Sequence, residues 1–149
     1  MPKKPAAAPK RARFEHATMK GAEFEDCDLA GARLHDVSLA EADLDDVSLA
    51  GARIHNATFA RATLDDVSLE HAKIHNASFA HATLDDIAMT EARVVNANLS
   101  GAKLSDINLR GARIEDADLT NVEISSSKID GLTIDGVRID QLLKARKPT

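Results

Sequence analysis

The sequence predicts an all-β solenoid, and two periodicities carry that prediction. A large apolar residue stands at every fifth position from Phe14 to Ile139, which gives 26 five-residue units without a break. A smaller residue, usually Ala and sometimes Val, stands two positions before most of them. On a longer scale, residues 51–70 and 71–90 are identical at 12 of 20 positions. Four units therefore make one structural turn, and the coil has four sides.

Neither an α-helix nor a long strand fits the five-residue period. Five residues turn a helix by roughly 500°, so the apolar positions would drift about 140° per unit and form no stripe. In a strand the inward spacing would stay at two, whereas here it alternates between two and three. The pattern instead predicts short extended sides joined by corners. Coils stacked at roughly 4.8 Å make a rod of about 6.5 coils, about 31 Å long.

Several units match the consensus A(D/N)LXX of pentapeptide-repeat proteins. Among them are Ala42-Asp43-Leu44-Asp45-Asp46, Ala97-Asn98-Leu99-Ser100-Gly101 and Ala117-Asp118-Leu119-Thr120-Asn121. The chain resembles this family over roughly residues 12–142. The resemblance implies a right-handed quadrilateral parallel β-helix with a turn at every corner, and it implies end-to-end dimers, which are common in the family. It implies no single activity, because fold does not determine function.

The chain divides into three segments. Residues 1–11 are rich in Pro, Ala and Lys, and we expect a disordered basic tail there. Residues 12–139 form the β-helix, and residues 140–149 form a C-terminal cap and tail. Asp140 is expected to cap a short helix that starts at Gln141.

The C-terminal end is the expected site of capping or dimerisation, because a rod of stacked strands must protect its ends. Leu142 and Leu143 would cover the final coil or pair with a second chain. The residues assigned to this role are Ile134, Val137, Ile139, Leu142 and Leu143.

Composition excludes several classes of protein. One Cys rules out a disulfide framework and a CxxC zinc site. No apolar run reaches membrane-span length, so we expect no membrane partner and a cytoplasmic location. The 24 acidic residues all lie between Glu15 and Asp140, with 11 bases among them, so this body carries a net charge of −13. Such a body repels nucleic acid and attracts basic partners.

The 20-residue period turns the acidic residues into two adjacent columns. We assign these columns to partner binding, since an acidic wall on a rigid rod resembles the charge display of DNA. The alternative is that Asp simply suits exposed turn positions, where its side chain bonds local backbone. The residues of the two columns are Glu25, Asp45, Asp65 and Asp85, and beside them Asp26, Asp46, Asp66, Asp86 and Asp106.

A second side carries three further columns. The residues are His35, His55 and His75; Arg33, Arg53, Lys73, Arg93 and Arg113; and Asp36, Asn56, Asn76, Asn96 and Asp116. The last column predicts a ladder of side-chain hydrogen bonds. Stacked imidazoles suit a divalent metal, but the pattern shows neither a further ligand nor an outer shell, so we expect solvated histidines and no metal.

Catalysis has little support in the sequence. A filled β-helix has no central pocket. The run Ser125-Ser126-Ser127 lacks a GxSxG context, and neither GxxxxGK[ST] nor HExxH occurs. We therefore expect no enzyme, no cofactor and no small-molecule substrate.

Three functions remain open at this stage. The first is a rigid acidic rod that binds a protein partner. The resemblance gives it a concrete form, because some pentapeptide-repeat proteins imitate duplex DNA, bind DNA gyrase or topoisomerase IV, and inhibit or protect the enzyme. The second is a structural repeat module with no topoisomerase activity. The third is weak nucleic-acid association through the basic N-terminal tail.

Overall fold

The computed structural model describes residues 11–145, which form a four-sided parallel β-solenoid followed by one short helix. The expected disorder of the N-terminal tail falls on residues 1–10, which lie outside the described residues. The elements are β1 (Arg13–Glu15), β2 (Glu23–Asp28), β3 (Arg33–Ser38), β4 (Asp43–Ser48), β5 (Arg53–Thr58), β6 (Thr63–Ser68), β7 (Lys73–Ser78), β8 (Thr83–Asp85), β9 (Arg93–Val95), β10 (Lys103–Ser105), β11 (Arg113–Glu115), β12 (Glu123–Ser125), β13 (Thr133–Ile134), β14 (Val137–Arg138) and α1 (Ile139–Ala145).

Two sheets make up the sides of the solenoid, and alternate strands belong to alternate sheets. Eight strands pair in the order β1-β3-β5-β7-β9-β11-β13-β14, and six pair in the order β12-β10-β8-β6-β4-β2. Between parallel strands the register joins residues 20 apart, as in the pairs Leu34↔Ile54 and Leu44↔Leu64. The predicted 20-residue coil is therefore confirmed, and the coils run from Arg13 to Ile134.

The core follows the small-and-large pattern of the repeat. Leu64 and Ala72 are fully buried, and the rings of Phe59 and Phe79 stack with centroids 4.8 Å apart. In the first coil the inward residues are only half-buried, among them Phe14 and Cys27. The inward assignment made from the sequence is confirmed, with the densest packing in the middle of the rod.

Every coil turns at positions where the backbone enters the left-handed region. At one kind of corner a β-turn closes, for example through the Ala32 N–H donated to the Leu29 carbonyl over 2.9 Å, and its third residue, Gly31, has φ +66°. At the other kind, the residues with positive φ are Asp, Asn, His or Ser, as at Asp46 and Asn56. Gly, Asn and Asp tolerate this conformation best, which explains their recurrence at the corners.

The C-terminal end differs from the sequence prediction. The regular coil was expected to continue to residue 139, but it ends at Ile134, and β13 and β14 pair antiparallel as a hairpin. Its two turn residues, Asp135 and Gly136, have φ +46° and +77°. Asp-Gly is a strong signal for a two-residue hairpin turn, because both residues need positive φ. That turn reverses the chain where a further coil would have formed.

Helix α1 begins at Ile139 rather than at Gln141, so Asp140 lies in the first turn instead of capping the helix. Ile139 packs on the core, whereas Leu142 and Leu143 are 48% and 50% exposed. The expectation that these leucines cover the last coil is therefore wrong for this chain alone. Because the hairpin reverses the chain, the helix begins two residues earlier than expected, and the first turn of the helix is the part that packs on the core.

Candidate functional site

The two sheets present two broad surfaces with different chemistry. We define the acidic face by residues 23–28, 43–48, 63–68, 83–88, 103–108 and 123–128. We define the ladder face by residues 13–18, 33–38, 53–58, 73–78, 93–98 and 113–118. Each segment bends once at a corner residue with positive φ, Asp26 and its equivalents on the acidic face and His16 and its equivalents on the ladder face. The two faces therefore share one backbone shape and differ in their side chains.

The nine acidic residues assigned from the sequence lie together on the acidic face. Strand pairing places Glu25, Asp45, Asp65 and Asp85 side by side in one row. Asp26, Asp46, Asp66, Asp86 and Asp106 occupy the successive corners, and the last four line a shallow groove of about 350 Å³. All nine are exposed.

These carboxylates have few compensating partners. Elsewhere in residues 11–145 acidic side chains pair with bases, as Glu41 does with Lys20 and Glu115 with Arg93. Within the same part of the chain, none of the nine lies within 4.0 Å of a Lys, Arg or His nitrogen. The pKa of Asp46 is raised, first by a hydrogen bond shared with Asp26 and then by repulsion from Asp26, Asp66 and Asp45. The carboxylates of the acidic face therefore repel one another, and this repulsion destabilises their charged forms.

The acidic face is graded along the rod. Its first segment, residues 23–28, carries a net charge of −4, and the next segment carries −3. The third and fourth segments carry −2 each, and the last two are neutral. Sequence reasoning missed Glu23, Asp28 and Asp43, which extend the wall at its N-terminal end. The same 20-residue column arithmetic would have found Glu23 and Asp43.

At the equivalent corners of the ladder face, the side chains form hydrogen bonds with one another. The Asn56 amide donates to the Asp36 carboxylate over 3.0 Å, the Asn76 amide to Asn56 over 3.1 Å, and the Asn96 amide to Asn76 over 2.5 Å. The predicted ladder of side-chain hydrogen bonds is confirmed from Asp36 to Asn96, and within residues 11–145 no side-chain hydrogen bond extends it to Asp116. The pKa of Asp36 is lowered, first by the Asn56 hydrogen bond and then by the nearby imidazoles.

The imidazoles of the ladder face stack as the column predicted. The rings of His35 and His55 lie 5.0 Å apart and those of His55 and His75 lie 5.2 Å apart, nearly parallel. His16 approaches the head of this stack edge-on, with its ring centroid 6.0 Å from that of His35. Sequence reasoning placed His35 and Asp36 in separate columns and did not include His16, so it missed their meeting.

The C-terminal residues assigned to capping or dimerisation do not act as one unit. Ile134 and Ile139 pack against the core. Val137, Leu142 and Leu143 remain about half exposed. Among residues 11–145, no helix has the length and apolarity needed to cross a membrane.

Comparison with known proteins agrees with the repeat and the fold. Residues 62–139 match the family model described as pentapeptide repeat region, and residues 10–46 and 42–80 match the one described as pentapeptide repeats. The chain therefore belongs to the pentapeptide-repeat proteins. No curated protein sequence matches it.

Solved structures of similar fold share little sequence with the chain. Rfr23 from the cyanobacterium Cyanothece 51142 is 20% identical, over 83% of this chain and 91% of that one, with a TM-score of 0.39. A pentapeptide repeat protein of the Arabidopsis thaliana thylakoid lumen is 24% identical, over 85% and 75%, with a TM-score of 0.47. QnrB1, a plasmid-mediated fluoroquinolone resistance protein, is 14% identical, over 90% and 96%, with a TM-score of 0.33.

Proposed function

We propose that this chain is a non-enzymatic interaction protein whose acidic face binds a positively charged protein surface. In its most concrete form it imitates duplex DNA and occupies the DNA-binding surface of a type II topoisomerase, DNA gyrase or topoisomerase IV, which it inhibits or protects. Such a partner places the protein in the cytoplasm of a bacterium or in an equivalent compartment.

One observation carries the proposal. At equivalent corners with the same backbone, the ladder face has three consecutive Asn residues, which form a hydrogen-bonded ladder with Asp36, whereas the acidic face has Asp five times in succession. Local backbone preference explains the choice of Asp or Asn over other residues. It does not explain the choice of Asp over Asn where the carboxylates repel one another. A partner that reads negative charge does explain it.

The linear charge density of the wall supports a DNA-like partner surface. Two carboxylates per coil at a repeat of about 4.8 Å give one charge per about 2.4 Å. Duplex DNA carries one charge per about 1.7 Å of its axis. A protein groove that binds DNA through Lys and Arg would therefore meet a similar field on a rod of fixed shape.

The exposed C-terminal leucines support a second part of the proposal, a homodimer formed end to end. Val137, Leu142 and Leu143, on β14 and α1, are about half exposed, and Ile124 on β12, the last strand of the six-stranded sheet, is 41% exposed. The acidic face is neutral in its last two segments. Two copies that meet at this end therefore bring neutral segments of their acidic faces together.

The test is a gyrase supercoiling assay titrated with the purified protein, with and without a fluoroquinolone. Inhibition or drug protection is expected, and the triple variant Asp45→Lys, Asp65→Lys, Asp85→Lys should lose it. The matched control reverses three acidic residues outside the acidic face, Glu70→Lys, Glu91→Lys and Asp130→Lys, and should keep it. Both variants change the net charge equally, so their difference isolates the face.

Two outcomes would contradict the proposal. If the wild-type protein has no effect at about 10-fold molar excess over gyrase, the topoisomerase partner is wrong, and an unbiased pull-down compared between the two triple variants becomes the test of the acidic face. If both triple variants behave alike, the face has no binding role and the chain is a structural repeat module.

A further inference from the structure

We infer that His16, His35 and Asp36, at the N-terminal end of the ladder face, form a binding site for a divalent transition-metal cation of the Zn²⁺ class. The set contains two imidazoles and one carboxylate, which are ligands that Zn²⁺ commonly takes in proteins. Their nearest ligand atoms all lie within 4.8 Å of one another.

Two of the three distances between ligand atoms in this cluster fit a shared cation. His16 Nδ1 and His35 Nδ1 each lie 3.2 Å from Asp36 Oδ2. Zinc bonds of about 2.0–2.1 Å in a tetrahedron separate neighbouring ligand atoms by about 3.3–3.4 Å. Both imidazole-to-carboxylate distances therefore match that separation to within about 0.2 Å, so a cation requires little rearrangement of these pairs.

The surroundings orient the carboxylate for this role. Asp36 Oδ1 accepts a hydrogen bond from the Asn56 amide at 3.0 Å, and Asn56 is itself held by Asn76. Only Oδ2 then faces the two imidazoles. Outer-shell hydrogen bonds of this kind fix a ligand and strengthen metal binding. The ladder thus supplies the outer shell that the sequence alone did not show.

The backbone brings the ligands together from two successive coils. His16 lies in the first coil and His35 and Asp36 in the second, and the His16 N–H donates to the His35 carbonyl over 3.0 Å. The neighbouring carboxylate of Glu15 is paired with Arg13 at 2.5 Å. Three protein ligands therefore remain, with the fourth position of a tetrahedral cation open to water.

The next coil of the ladder face lacks such a set. There Asn56 stands where Asp36 stands in the cluster, beside His35 and His55, and an amide replaces the carboxylate. In residues 11–145 this is the one group of three or more His, Cys, Asp or Glu side chains whose ligand atoms converge this closely. A bound cation would join the first coil to the second, where Phe14 and Met19 are only half-buried.

The test is isothermal titration of tag-free protein with Zn²⁺. Three variants use residues that the same columns already contain: His16→Asn and Asp36→Asn, as at Asn56, and His35→Val, as at Val95. One Zn²⁺ per chain is expected, and each variant should weaken binding at least about 10-fold, the lower limit reported for changes to outer-shell partners.

The matched control is His71→Asn, because His71 also lies beside a single carboxylate, 3.3 Å from Glu91, but has no second imidazole. This variant should bind Zn²⁺ within about twofold of wild type. Ring resonances of His16 and His35 should shift on titration while those of His71 do not. Because a ligand that binds only the folded state stabilises it, Zn²⁺ should raise the Tm of wild type and not of Asp36→Asn.

The inference fails if the wild type binds no Zn²⁺, or if binding survives unchanged in both His16→Asn and Asp36→Asn. It also fails if the shifts are spread over all six histidines, since that pattern indicates adventitious binding at exposed imidazoles and carboxylates. Circular dichroism of each variant confirms that the coil is intact before affinities are compared.

Discussion

At the level of single residues, the corners with positive φ separate the effect of backbone conformation from the choice of side chain at the surface. Asp46 and Asn56 have φ of +51° and +53°, so the backbone conformation is the same at both positions. The sequence predicted both columns because their period is 20. It did not predict that the corners of the two faces share one backbone conformation. Because they do, turn geometry alone does not explain why the acidic face has Asp at these corners.

The first prediction concerns the stability cost of the acidic corners. The triple variant Asp46→Asn, Asp66→Asn, Asp86→Asn should unfold at a higher urea concentration than wild type at pH 7, because repulsion is replaced by amide hydrogen bonds. The pKa of Asp46 is raised in the folded state, so its ionisation removes stability as pH rises through that pKa. The gain should therefore disappear near pH 3, below the usual pKa of about 3.9.

Its control is the reverse change on the ladder face, Asn56→Asp with Asn76→Asp, which should lower the urea midpoint at pH 7. A loss of stability in the acidic-face variant at pH 7 would show that these three carboxylates are favourable where they stand. The carboxylates of the acidic face would then need no partner to explain them.

The second prediction concerns the core. Leu64 is fully buried in the middle of the rod, and Leu64→Ala should lower the free energy of unfolding by about 2–5 kcal/mol, as expected when a buried leucine leaves a cavity. Ile124 occupies the same column three coils on but is 41% exposed. The control Ile124→Ala should therefore cost less than half as much in the same urea titration, and equal costs would contradict the packing gradient.

At the level of elements, the solenoid was predictable and its C-terminal end was not. Each coil contacts only its neighbours, so a repeat read along the chain fixes the register, the core and the columns. The hairpin of β13 and β14 interrupts the five-residue period without changing the spacing of apolar residues, since Ile134 and Ile139 keep their places. In the sequence, only the Asp135-Gly136 pair indicates this hairpin.

The sequence also did not predict which side chains of neighbouring columns contact one another. His16 and Asp36 lie 20 apart in one column, so the 20-residue period places them together, but His35 meets them from the adjoining column. Column arithmetic places residues of one column above one another. It does not show which side chains of different columns turn toward each other at a corner, because that depends on their rotamers.

The third prediction concerns the start of α1. The Arg138 guanidinium donates two hydrogen bonds to the buried Asp140 carboxylate, over 2.9 and 2.8 Å, and holds the pKa of that carboxyl well below its usual range. Asp140→Asn should expose the amides of residues 139–145 to faster exchange at pH 7. A lowered acid pKa stabilises the fold above about pH 3.9, and that stabilisation is lost as pH falls further.

Amide-exchange protection factors measured by NMR at pH 7 and in acid test this prediction. The wild-type helix should lose protection in acid, whereas Asp140→Asn should already be unprotected at pH 7. Asp130→Asn, a change at an exposed corner, is the control and should leave α1 unchanged. Equal protection in wild type and Asp140→Asn would show that the ion pair does not hold the helix.

At the level of the whole molecule, charge and apolar surface are separated along the rod. The acidic face falls from −4 in its first segment to zero in its last two. The large exposed apolar residues of the described chain lie at the opposite end, on β12, β14 and α1. A rod whose acidic face is strongest at one end and whose exposed apolar residues lie at the other can bind a partner along that face while its C-terminal end contacts a second copy.

The fourth prediction is that second copy. Ile139 packs on the coil, and Leu142 and Leu143, three and four residues on, continue the same side of α1 into solvent. Strand β12 ends the six-stranded sheet and leaves an edge that a second chain would protect. Multi-angle light scattering at micromolar concentration should give twice the chain mass, 32 kDa against 16.0 kDa, and Leu142→Glu with Leu143→Glu should give the single mass. Glu70→Lys, at a corner remote from α1 in sequence, serves as the control and should remain dimeric. A wild-type mass of one chain under these conditions would remove the dimer and leave Leu142 and Leu143 as an apolar surface without a second copy.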